Sequence, residues 1–183
     1  MNVIFLLIIT FLPVYLVGLF VYKKDREKEP RKLLKKLFIF GMLSCIPTVI
    51  FELILGSFFP PEESMDIVTL FIYVFVTIAM VEEFFKWIVT YIIGFDNKEF
   101  DHVYDIIVYA VFVALGFAAL ENFLYVMTNN ISTGLVRAVT AIPGHASDAI
   151  IMGYFLGLAK VAQVSNDDTK MKKNIVKSII YPT

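Results

Sequence analysis

Apolar positions run for twenty residues or more at a time along this chain, and polar residues gather between the runs. Residues 3–22 carry no charge. Residues 37–59 form a second run, holding Pro47 and a single acid, Glu52. Residues 67–94 and 103–127 form two more. A fifth stretch, 134–163, is interrupted by Arg137 and by the Pro143-Gly144 pair. About 20 apolar residues suffice for a helix to cross roughly 30 Å of hydrocarbon. The expected architecture is therefore all-α, a polytopic transmembrane helical bundle of about five spans, at 3–22, 37–59, 67–94, 103–127 and 134–163. The whole of 1–183 reads as one integral membrane domain. No ten-residue segments of alternating polarity occur, and open sheets leave unpaired backbone groups in lipid. Pro13 is expected to kink the first helix. Gly153 and Gly157, with Ala149, offer a close-packing face between helices.

The segments between the runs fix an orientation. Lys23, Lys24, Arg26, Lys28, Arg31, Lys32, Lys35 and Lys36 crowd between the first two runs, against Asp25, Glu27 and Glu29. The next turn, 60–66, is acidic and has no Lys or Arg; 95–102 and 160–177 hold basic residues again. Fourteen of the 16 Lys and Arg residues then fall on one side of the membrane. The two exceptions are Lys86 and Arg137. The positive-inside pattern places the N-terminus outside and the 23–36 segment in the cytoplasm of a bacterial-type plasma membrane. We expect that segment to be a solvated loop, with attraction to anionic headgroups as a secondary effect. Arg137 is expected to snorkel to the interface.

Composition agrees. Hydrophobic residues make up 58% of the chain and charged residues 18%, against about 25% charged in a soluble domain. The single cysteine, Cys45, cannot form an internal disulfide and reads as a small buried hydrophobe. There is no Cys/His cluster of zinc-finger spacing, no Gly-rich phosphate loop and no basic-aromatic strip, so nucleic acid is not an expected partner.

The chemistry lies where lipid should be. Met80-Val81-Glu82-Glu83-Phe84-Phe85-Lys86 sits inside the third run. One charge near the bilayer centre costs roughly 2.5–3.5 kcal/mol on insertion scales. Glu82 and Lys86 are four residues apart and Glu83 and Lys86 three, so both acids can meet the amine on one helical face. One amine cannot neutralise two carboxylates, which calls for a further cation or a shared proton. Glu121, followed by Asn122, is buried in the fourth run. In the fifth, His145 directly follows the helix-breaking Pro143-Gly144, and Asp148 lies three residues on. Three carboxylates, a lysine and a histidine on three helices can converge on one wet pocket. Such a set can activate water for attack on an amide, with Glu82, Glu83, Glu121 and His145 as the catalytic candidates and Lys86, Asn122 and Asp148 in support. The same four catalytic candidates could instead hold a divalent metal such as zinc. No His-Glu-x-x-His signature is present. The alternatives are a proton-coupled transporter and a non-catalytic membrane sensor or scaffold. No internal inverted repeat supports the transporter.

These motifs, in this order, resemble those of the PrsW family of intramembrane proteases, related to the CAAX prenyl endopeptidases and bacteriocin-processing enzymes. The resemblance rests on Glu82-Glu83-x-x-Lys86, Phe117-x-x-x-Glu121 and Pro143-Gly144-His145, and covers about 80–157. It implies site-1-type cleavage of a membrane-anchored, single-span anti-sigma factor in a stress response. Glu82 or Glu83 would activate the water, Glu121 would take the position of a CAAX-branch histidine, and Lys86 would position the acids. The family also has a further C-terminal span with a His-Gly-x-x-Asp-like motif. The sequence ends at Thr183 just as an apolar segment opens at Ile179, so the resemblance implies a truncated chain lacking that element. Asp148 sits in a different context and does not replace the missing aspartate.

Overall fold

The computed structural model describes residues 3–62, 64–129 and 131–183, with side chains described from residue 7 onward. Seven helices occur among the described residues: α1 (Val3–Lys24), α2 (Arg31–Phe58), α3 (Ile67–Phe95), α4 (Val103–Thr128), α5 (Ile131–Val139), α6 (Ala141–Val164) and α7 (Asp168–Ile180). No strand is present among those residues. Four helices, α1 to α4, are long and apolar enough to cross a membrane. α1 runs unbroken through Pro13. α3 starts where the Asp66 carboxylate accepts from the backbone N–H groups of Val68 (2.9 Å) and Thr69 (3.1 Å), which satisfies two donors the helix itself leaves open.

α4 is the axis of the bundle. Its residues from Asp105 to Ala119 are almost all buried, and α1, α2, α3, α5 and α6 all pack on it. Small residues let the neighbours close in. A methyl on Gly41 of α2 would overlap the Val113 carbonyl, and one on Gly116 of α4 would overlap the Phe38 carbonyl. On α6, Gly153 lies against the Ile107 backbone and Gly157 against Val103, so the expected small-residue face does form a close helix crossing. Cys45 is buried, as expected.

Two expectations need correction. First, 134–163 is not one helix. The chain breaks at Thr140, before the Pro-Gly pair, leaving a nine-residue α5 too short to cross a membrane. Pro143 falls in the first turn of α6, where its missing N–H removes no helical bond. Second, 23–36 is not simply a solvated loop. α2 already begins at Arg31, and Asp25 and Glu29 are buried. Glu29 folds back over α4 and accepts a 2.6 Å hydrogen bond from the Tyr109 hydroxyl. Ile179 and Ile180 lie in the last turn of α7, an amphipathic helix lying on α6 and anchored by the Trp87 indole N–H donating to Ser178 (2.9 Å).

Two measurements follow. Gly41→Leu forces a side chain into the α2–α4 crossing and should lower stability by about 1–3 kcal/mol, read by unfolding in detergent. Gly56→Ala, where only the Tyr73 hydroxyl is near, should be close to neutral. Burial raises the Glu29 carboxyl from its ordinary 4.5 to about 7, opposed by the Tyr109 hydrogen bond and assisted by Asp105 and Asp25. The folded chain thus holds this proton more tightly than the unfolded chain does. The stabilisation is full below about pH 4.5 and is lost as pH rises to about 7. Melting temperature followed across that window should show a fall that Glu29→Gln removes.

Candidate active site

Helix lengths do not align the polar residues, since Glu82 lies about 20 Å from the Phe95 end of α3 while His145 lies about 28 Å from the Val164 end of α6. The contacts resolve the discrepancy. Gly94 of α3 abuts Tyr109 and Ile106 of α4. Counting twelve residues from Gly94 and twelve from Tyr109 reaches Glu82 and Glu121 at the same depth, about 18 Å on. Asp96, just beyond α3, pairs with Lys160 of α6 at 3.1 Å, so α6 extends a further turn beyond α3. The helix ends are uneven and the site is level.

α3 carries an irregularity that the apolar pattern does not disclose. Residues Phe75–Ala79 and Tyr91–Phe95 form π-helical turns on either side of the Met80–Thr90 segment. Each widens the turn and rotates the residues that follow it. The first part of α3, Ile67–Val74, buries nothing, whereas Glu83, Lys86 and Thr90 are buried on one face.

Lys86 is the centre of the cluster. It is 1% exposed, and its ammonium lies 2.5 Å from Glu83, 3.5 Å from Glu82 and 3.0 Å from Nδ1 of His145. It also stands 4.6 Å from the centre of the Phe117 ring, one turn before Glu121, and that ring meets the His145 imidazole edge-on. An ammonium only donates, so Nδ1 of His145 accepts. Nε2 of His145 then carries the hydrogen and donates to Glu121 at 3.0 Å. Glu121 also pairs with Arg137 at 2.5 Å. Arg137 therefore does not snorkel to the interface: its guanidinium lies over the Tyr125 ring, 3.9 Å from the centroid, and reaches inward. The short α5, set off by the break at Thr140, makes that approach possible.

Glu82, Glu83, Glu121, His145 and Lys86 thus converge. Asp148 joins from the next turn of α6, with Glu83, His145 and Asp148 offering donor atoms within 4.8 Å of one another. Asn122 does not join the contacts. It is buried, and neither polar atom of its side chain has a partner. Glu52 of α2 is the residue that the motif reading passed over. It is half-buried, one carboxylate oxygen is sealed without a partner, and the charges of Glu82, Glu121 and Lys86 act on it. Its signal was available, since it is the only acid in its span.

The sequence matches the family described as PrsW family intramembrane metalloprotease over residues 29–182. The chain belongs to this family. It is 39% identical over 163 residues to Protease PrsW of Oceanobacillus iheyensis, an alignment covering 89% of this chain and 71% of that protein. It is 37% identical over 153 residues to Protease PrsW of Geobacillus kaustophilus, covering 81% and 64%. Protease PrsW of Bacillus subtilis is 29% identical over 175 residues, covering 92% and 72%. No solved structure matches the chain. The chain is accordingly an intramembrane protease of the PrsW family, and the buried cluster is its candidate active site.

Breaking the Arg137–Glu121 pair should leave a largely buried carboxylate short of one partner. Arg137→Gln is expected to lower stability by about 3 kcal/mol. Arg137→Lys keeps the charge but not the ring stacking and should fall between. Denaturant titration in detergent micelles measures both.

Proposed function

We propose that this chain cleaves a peptide bond in a single-span, membrane-anchored protein of the anti-sigma-factor type, making the site-1 cut within a bacterial plasma membrane. In this reading the N-terminus is outside and the basic segment 23–36 is cytoplasmic. The observation that carries the proposal is the convergence of Glu82, Glu121 and His145, whose donor atoms lie within 4.8 Å of one another at equal depth on three helices.

The donor set fits a divalent metal. Imidazole nitrogen and carboxylate oxygen are both zinc ligands, and three protein ligands with one open position is the arrangement of a catalytic ion. The fixed charges are compatible with an added cation: Glu82, Glu83 and Glu121, with Asp148 beside Glu83, outnumber the two fixed cations Lys86 and Arg137. Glu82, Glu121 and His145 would hold the ion, zinc being the natural candidate. Bound there, it would polarise the scissile carbonyl and acidify a water. The remaining roles belong to the protein. Arg137 holds Glu121, and the Phe117 ring fixes the plane of His145. Glu83, adjacent to Glu82 and paired with Lys86, takes the proton from the attacking water and returns it to the leaving amine. Lys86 and Asp148 position Glu83. Apolar walls around the cluster keep bulk water out, which strengthens each of these interactions.

The test combines two readouts on purified protein reconstituted with a tagged single-span anti-sigma factor. Cleavage is followed by blot, and bound metal by elemental analysis. Glu82→Gln, Glu121→Gln and His145→Ala should lose both metal and cleavage. Glu83→Gln should keep the metal and lose cleavage by a hundredfold or more. Cleavage that survives all four substitutions would contradict the assignment. Ion flux titrating with Glu82 and Glu121, in place of cleavage, would favour a proton-coupled transporter.

A further inference from the structure

α1 and α2 both lie against α4 and hardly touch each other. Between them runs a groove of about 780 Å³, floored by Phe112 and Leu115 of α4 and walled by Phe11, Tyr15 and Leu19 of α1 and Phe38 of α2. Gly18 of α1 lines the groove without a side chain, and a Cβ there would reach Leu115 and Phe112 at ordinary contact distance. The α1 wall runs from Phe11 to Tyr22, about 16 Å of helix, which is the depth of one leaflet of a bilayer whose hydrocarbon core is roughly 30 Å thick.

One end of this apolar groove is basic. Arg31 and Lys35 line it beside Tyr22, four residues apart on the same face of α2. Both are exposed, and neither has a carboxylate partner among the described residues. Lys28, nearby, is already committed: its ammonium donates to the carbonyls of Tyr22 (2.7 Å), Lys23 (3.1 Å) and Asp25. Two free cations therefore cap a leaflet-deep apolar slot on the side where the basic residues collect.

We propose that this groove is a binding site for one anionic phospholipid of the cytoplasmic leaflet, with its phosphate held by Arg31 and Lys35 and an acyl chain laid along α1 as far as Phe11. The occupant follows from the combination. Apolar walls over a whole leaflet suit an acyl chain and give a free phosphate nothing to bind. The paired cations select a negative headgroup over a zwitterionic one. Each Lys or Arg near an anionic surface is worth about 1 kcal/mol, or about fivefold in affinity. The site is independent of the proteolytic cluster.

Spin-labelled phosphatidylglycerol and phosphatidylcholine, compared on the reconstituted chain at low salt, test the proposal. The immobilised fraction should favour phosphatidylglycerol by tenfold or more. Arg31→Gln with Lys35→Gln should abolish that preference, and Gly18→Leu, which fills the groove, should reduce immobilised lipid of both kinds. Lys32→Gln with Lys36→Gln removes the same charge outside the groove and should leave most of the preference. Equal loss from the two double variants would overturn the proposal, because diffuse attraction to the basic segment would then explain the selectivity. Equal immobilisation of the two lipids would also overturn it. So would a stable pair of chains retaining no lipid, which would mean that a second copy fills the groove.

Discussion

An ammonium ion in hydrocarbon has no water to share its charge, and it persists only where the protein supplies fixed partners on every side. Lys86 is that ion here. Glu83 and Glu82 approach it from its own helix, His145 from α6 and the Phe117 ring from α4. Each partner is in turn committed: His145 donates to Glu121, and Glu121 is held by Arg137. The chain of contacts crosses α3, α6, α4 and α5. Its geometry sets the depth of the helices against one another, and the close crossings at Gly41, Gly116 and Gly153 permit it. Breaking such a pair on one side is far more costly than never having built it. The polar cluster and the small-residue crossings therefore constrain each other.

The same constraint serves the chemistry. A site that must cut an amide inside a membrane needs its donors held rigid and its water few. The cluster has two parts that meet this need differently. Glu83 and Lys86 are sealed in the bundle, while Glu82, Glu121 and His145 remain slightly open. In the proposed reading Lys86 holds Glu83 at the edge of the more open trio, so that the base faces the place where water would enter.

Much of this was legible in the sequence. Lipid requires helices, so the apolar runs gave the bundle its form, and the cost of intramembrane charge pointed to Glu82, Glu83, Lys86, Glu121 and His145 before any contact was known. What escaped lies in backbone detail and in compensation. Nothing in the apolar pattern marks the π-helical turns flanking Met80–Thr90. Pro143-Gly144 signals a break, but a first-turn proline is tolerated, and the chain parts three residues earlier. Arg137 looked interfacial because a lone arginine usually is; only the path of α5 turns it toward Glu121. Glu29 was lost among eight basic neighbours, though a tyrosine inside the fourth span also needed a partner for its hydroxyl.

A double-mutant cycle between Lys86 and Glu83 tests the central claim most directly. Lys86→Met alone should lower unfolding stability by about 3–5 kcal/mol, because it leaves Glu83 buried and unpaired. Adding Glu83→Leu should restore most of that loss, giving a coupling well above the roughly 0.5 kcal/mol scatter of independent sites. Additive effects within that scatter would show that Lys86 and Glu83 do not form the buried pair on which the site is built.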